Sequence, residues 1–115
     1  MILGTGIDII EISRIQNAVE RWGDVFLNYV FTPTEIEHAK KFKFPHRHYA
    51  GRFAAKEAIF KAMGVPHLSW QDITIINDNS GKPVCLYNNT TFKNRLLISI
   101  SHSRDYAVAS AIVEG

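Results

Sequence analysis

The chain holds a single cysteine, Cys85, among 115 residues, so no internal disulfide can form. Set between Val84 and Leu86, that thiol reads as a packed strand position rather than a nucleophile. No stretch approaches the ~20 apolar residues of a membrane span. The opening Met1-Ile2-Leu3-Gly4-Thr5-Gly6 lacks the basic region and long apolar segment of a secretory signal, which predicts a soluble, cytoplasmic protein with no membrane partner. Two glycosylation sequons, at 88–90 and 89–91, are then accidental. Excess charge of one sign is scarce too. The formal net charge is +2, and Lys and Arg are dispersed, without the dense run that binds nucleic acid non-specifically. Phosphates or an acidic protein face remain suitable partners. Linkers, repeats and low-complexity tracts are lacking, and 46% hydrophobic with 21% charged residues is ordinary globular composition. One domain over residues 1–115 follows, short enough that self-association is a reasonable way to complete a site.

What is present divides into a helical first half and a stranded second half. Residues 2–10 read as a strand with Gly4, Gly6 and Asp8 on one face and Leu3, Thr5, Ile7 and Ile9 on the other, so the face carrying Asp8 is nearly bare. Ser13 and Gln16 have capping-box spacing before a short amphipathic helix that carries Arg14 and Arg21 on a common side and stops at Gly23. An aromatic segment follows at 26–31. Thr32-Pro33-Thr34-Glu35 supplies an N-cap, a first-turn proline and a glutamate for a helix running towards Phe42. Pro45 starts a longer helix through Met63, which Gly64 closes and Pro66 prevents from continuing. Residues 73–77 and 83–87 form a hairpin around Asp78-Asn79-Ser80-Gly81-Lys82, and 96–101 and 106–113 a second pair around His102-Ser103-Arg104-Asp105. Strand, helices, then four strands predicts an α+β fold with an antiparallel-rich sheet packed on the long helix.

The long helix concentrates the chemistry. In Arg52-Phe53-Ala54-Ala55-Lys56-Glu57-Ala58-Ile59-Phe60-Lys61-Ala62-Met63 most of the circumference is apolar, with Glu57 and Lys61 on one narrow arc and Arg52 and Lys56 on another. Charges on a helix this apolar need a partner. An i,i+4 pair between Glu57 and Lys61, with Arg52 and Lys56 snorkelling to solvent, is one account. Ala50, Ala54 and Ala58 offer a face that another backbone could approach closely. The other account joins Glu57 to Asp8, two carboxylates of the kind magnesium takes together with phosphate oxygens and water; a solvated Asp8 is the alternative. His102 reads as a turn histidine and Lys82, in Gly81-Lys82-Pro83, as a turn lysine unless something anionic lies nearby.

Taken in order, Gly6-Ile7-Asp8-Ile9-Ile10-Glu11-Ile12, Arg52-Phe53-Ala54-Ala55-Lys56-Glu57-Ala58 with Lys61-Ala62, Gly81-Lys82-Pro83 and Ser99-Ile100-Ser101-His102-Ser103 resemble the holo-acyl-carrier-protein synthase family. The resemblance extends from Gly4 to Val113; Gly64-Val65-Pro66 departs from the family's more glycine-rich stretch, and residues 88–94 match nothing in its pattern. It implies a 4'-phosphopantetheinyl transferase-like fold and transfer of phosphopantetheine from coenzyme A to a serine of apo-acyl-carrier protein, in support of fatty acid biosynthesis. It further implies Asp8 and Glu57 as magnesium ligands, Lys61 acting on the departing phosphate, and Arg52, Lys82, Pro83 and His102 against coenzyme A. Arg14 and Arg21 would meet the acidic helix of the carrier, and a homotrimer would hold coenzyme A in clefts between subunits. The rival readings are a non-catalytic module that binds a nucleotide or acidic protein, and a magnesium-dependent phosphohydrolase.

Overall fold

The computed structural model describes residues 1–64, 68–88 and 92–115. Pro66 and the residues of both sequons beyond Asn88 lie outside that set. The order is β1 (Ile2–Glu11), α1 (Ile12–Trp22), α2 (Asp24–Val30), α3 (Pro33–Ala39), α4 (Pro45–Met63), a short 3-10 turn (Trp70–Asp72), β2 (Ile73–Asn77), β3 (Pro83–Tyr87), β4 (Arg95–His102) and β5 (Tyr106–Glu114). A three-stranded antiparallel sheet runs β1-β5-β4, and β2-β3 is a separate antiparallel hairpin. The α+β architecture with α4 laid across the larger sheet is the one the sequence predicts.

Small side chains on both sides let α4 lie close to the sheet. Ala50, Ala54, Ala58 and Ala62 of the helix and Ala107, Ala109 and Ala111 of β5 are all buried. On β1 the contact is closer still: a Cβ at Gly6 would fall 2.0 Å from the Ala58 carbonyl oxygen, and one at Gly4 2.0 Å from that of Ala62. The bare face of β1 is therefore where the long helix lies, backbone against backbone, as glycine in a strand allows. Ile59, Ile73 and Ile75 are essentially sealed from water, each burial contributing about 1.5–3 kcal/mol.

Two local readings need correction. Helix α1 begins at Ile12 with Glu11 at the N-cap and no side-chain cap, so Ser13 and Gln16 do not form a capping box. The Ile12 N–H donates instead to the Asp105 carbonyl at 2.8 Å, so the β4–β5 turn satisfies that donor. The aromatic segment up to Val30 is helical, in α2, with Phe31 extended at its C-cap: Gly23, at φ 56°, separates α2 from α1, and Leu27 and Val30 turn inward while Val25 and Tyr29 stay exposed. Helix α3 has its Thr32/Glu35 capping box but stops at Ala39, short of Phe42. There the bonding tightens to i→i+3, from Lys41 N–H to His38 and from Phe42 N–H to Ala39, and Phe42 stacks on His48 with ring centroids 3.6 Å apart. Helix α4 ends as expected, at Gly64 in the left-handed region, whose N–H donates to the Phe60 carbonyl.

Candidate active site

Strand β1 and helix α4 bring Asp8, Glu57 and Lys61 together. The Lys61 ammonium donates to the Ile7 carbonyl at 3.0 Å and to Asp8 Oδ1 at 3.2 Å, so the lysine pairs across the strand and not with Glu57. Glu57 is half-buried, and its carboxyl is held above the usual carboxylate range by burial first and by the Asp8 charge second, with Lys61 opposing. Two carboxylates that repel each other at a partly exposed edge are hard oxygen donors whose mutual repulsion a divalent cation relieves. Among the described residues no third acid, His or Cys joins them in a cluster able to hold a metal. That donor set fits magnesium, which commonly takes one or two protein carboxylates and completes its shell with water and phosphate oxygens.

The other edge of α4 does not reach solvent. Arg52 is 7% exposed and donates to Asn77 Oδ1 at 3.1 Å, and Lys56 is fully buried. Asn77 stands opposite Pro83 in the hairpin, so Arg52 lies against the base of the turn that carries Lys82. Lys82 itself is exposed, its backbone held by Asp78, whose carboxylate accepts from the Lys82 and Ser80 N–H groups and the Ser80 hydroxyl. His102 is the last residue of β4; its Nε2 lies 3.0 Å from the Arg47 carbonyl and directly over Gly51, where a Cβ would come within 2.7 Å of it. Burial, then Arg47 and Arg52, lower its pKa, while the bond to Arg47 raises it.

His102 opens onto a cleft of about 330 Å³ lined also by Phe42, Lys43, Phe44, Arg47 and His48. His48 is pushed down to about 4 by burial and by Arg52, His38, His102 and Arg47, so the cleft is ringed by fixed cations and neutral imidazoles. These lining residues escaped the sequence reading. The close run Pro45-His46-Arg47-His48 was the available signal, but nothing in it shows that β4 folds over its first turn. Arg14 and Arg21 are exposed on α1, and Arg21 packs over the Trp22 ring at 4.9 Å.

A two-carboxylate edge with a lysine beside it, on a helix that packs on a glycine-bared strand and whose first turn lines a cationic cleft, is a phosphoryl-group transfer site in outline. The chain belongs to the 4'-phosphopantetheinyl transferase superfamily, whose family model matches residues 4–111. Along its whole length it is similar to holo-[acyl-carrier-protein] synthases: that of Clostridium tetani is 48% identical, covering 100% of this chain and 98% of the relative. The synthase of Protochlamydia amoebophila is 47% identical, covering 97% and 98%. Among solved structures, the holo-(acyl-carrier-protein) synthase of Bacillus anthracis, in complex with CoA (3',5'-ADP), superposes with a TM-score of 0.87 at 40% identity over 99% of this chain and 97% of that one. The Helicobacter pylori synthase in complex with coenzyme A gives 0.85 at 33% identity, over 96% and 99%.

Proposed function

We propose that this chain performs its family's reaction, moving 4'-phosphopantetheine from coenzyme A to a serine of apo-acyl-carrier protein with magnesium held by Asp8 and Glu57. The single observation that carries the metal assignment is the convergence of Asp8 and Glu57 from β1 and α4. Magnesium, when bound, supplies a Lewis acid beside the pyrophosphate. Glu57 takes the serine proton. The serine oxygen bonds to the phosphorus next to pantetheine, the anhydride P–O bond breaks, and adenosine 3',5'-bisphosphate leaves. Lys61, exposed and already bonded to Asp8, neutralises the departing phosphate.

Arg52, Lys82, Pro83 and His102 serve coenzyme A, supported by the way Asn77 joins Arg52 to the hairpin and by the cationic cleft at His102. Arg14 and Arg21 receive the carrier. The whole chain, residues 1–115, acts as one domain, and the enzyme works as a homotrimer. The uncovered side of β1 supports assembly: Leu3, Ile7 and Ile9 are 58%, 66% and 63% exposed. Among the described residues no helix is long and apolar enough to cross a membrane. A cytoplasmic place in fatty acid biosynthesis follows from the substrates.

Incubation with coenzyme A, magnesium and an apo-carrier, read by intact mass, tests the reaction. A carrier heavier by one phosphopantetheine is the expected product. Free phosphopantetheine with an unmodified carrier would mean a hydrolase, and binding without turnover a non-catalytic module.

A further inference from the structure

Helix α4 is apolar around nearly all of its circumference, so burial alone gives it no preferred roll. Its alanine face fixes how near it comes to Gly4 and Gly6, but small side chains against backbone make a smooth contact. Arg52 on Asn77 and Lys61 on β1 constrain the roll from two sides, and Lys56, one residue before Glu57, adds a fully buried constraint beside the site. Its ammonium donates to Glu35 Oε1 at 2.7 Å, to the Val30 carbonyl at 2.9 Å and to the Trp70 carbonyl at 2.8 Å, three acceptors for three donors. Glu35 is equally well held, accepting from the Thr32 N–H at 2.8 Å and, through Oε2, from the Ile75 N–H at 2.7 Å. Both side chains are sealed from water.

We propose that the buried Lys56–Glu35 pair is a positioning latch for the transfer reaction: it pins the roll of α4 against α3 and β2, and thereby aims Glu57 at Asp8 on the opposite sheet. The latch rests on the proposed role of those two acids. A buried ion pair usually adds little net stability over apolar residues of similar volume, because desolvation offsets attraction. Its effect is directional: each bond lengthens or fails if the helix turns. Neighbouring residues on a helix point ~100° apart, so an error in the roll at Lys56 passes undiminished to Glu57. A misplacement of about 1 Å at a reacting group can cost on the order of 100-fold in rate.

The test removes both charges at once, in Lys56→Met/Glu35→Leu, so that neither is left buried alone. The fold should survive at a lowered melting temperature, because the Thr32 and Ile75 N–H groups and the Val30 and Trp70 carbonyls lose their partners, while kcat falls at least 10-fold and KM for coenzyme A moves less than 3-fold. Calorimetric titration with Mg2+, in the presence of coenzyme A and without carrier, should show affinity weakened several-fold, a readout independent of turnover. Ile75→Val, which trims the neighbouring core, should lower the melting temperature and leave kcat alone. A folded double variant with wild-type kcat overturns the latch, as does a loss in kcat matched by Ile75→Val at equal stability. Should the double variant not fold, Glu35→Asp keeps the charges but shortens the arm by one methylene; several-fold lower kcat is expected, and wild-type kcat overturns the proposal. A wild type that binds no Mg2+ sinks the metal assignment alone, and the kcat ratios then decide the latch by themselves.

Discussion

Lys61 reaches across to β1, 3.2 Å from Asp8 Oδ1, although Glu57 lies one turn back on its own helix. Spacing of four residues would have permitted an intrahelical pair, worth a few tenths of a kcal/mol on an exposed helix. The Ile7 carbonyl, 3.0 Å from the same ammonium, draws it toward the strand. The consequence falls on Glu57, which is left with partial burial and a like-charged neighbour. That arrangement holds the Glu57 carboxyl above the usual carboxylate range.

Removing the neighbour should therefore relax Glu57. In Asp8→Asn the like charge disappears, the ionised form is less disfavoured, and the Glu57 pKa should fall toward the ordinary carboxylate value; burial keeps it from falling all the way. Carbon-13 NMR of the side-chain carboxyl without metal measures it. The same sign governs stability: a raised carboxyl pKa contributes stability present below the unfolded pKa and lost as pH rises through the folded one, so the variant should lose less stability over that window. A Glu57 midpoint unchanged by Asp8→Asn would refute the electrostatic pairing.

Gly6→Ala should be far more damaging than a typical glycine substitution in a strand. The new methyl would lie 2.0 Å from the Ala58 carbonyl oxygen, and since both atoms belong to rigid backbone elements, β1 or α4 must move. Overpacking of this kind costs about 1–3 kcal/mol or more. Urea unfolding should show at least that loss, and transfer activity should fall further than the folded fraction because Asp8 moves with the strand. Full stability and activity would mean that β1 does not carry the contact described.

Much of this was legible because period and small residues are local signals. The bare face Gly4-Gly6-Asp8 and the repeat Ala50-Ala54-Ala58 foretold the backbone contact, and two turn-forming clusters foretold both hairpins. The expectation that Asp8 and Glu57 act together came from cation chemistry and resemblance together. What stayed hidden depends on partners distant in sequence. Lys56 looked like a snorkelling lysine because Glu35 lies on another helix, and Arg52 because Asn77 lies on a later strand. Likewise Ser13 looked like a cap because nothing local reveals that the Asp105 carbonyl meets the Ile12 N–H. The cleft at His102 needs β4 folded over α4 before it exists.

Charge reversal in Arg14→Glu should separate carrier docking from coenzyme A binding. Arg14 is exposed on α1, so its loss leaves the core untouched. Attraction between complementary charges governs association more than the bound chemistry. KM for apo-carrier should rise about 10-fold and more steeply at low salt, while affinity for coenzyme A stays within 2-fold. Equal loss of both would assign Arg14 to the fold or to the coenzyme A site instead.

The cleft histidines should make the protein sensitive to acid in a window set by His48. In the fold its pKa is pushed from 6.5 down to about 4, by burial first and by Arg52, His38, His102 and Arg47 after it. A depressed pKa means the folded state resists the proton that the unfolded chain accepts. The stability contributed by the neutral ring is therefore complete above pH 6.5 and is lost as pH falls from there through about 4. His48→Phe keeps an aromatic ring to stack on Phe42 and removes the titration. Its melting temperature should fall less than that of the wild type between pH 7 and pH 4.5, roughly the window in which an ordinary histidine takes up its proton. Parallel melting curves across that range would show that the acid response belongs to other groups.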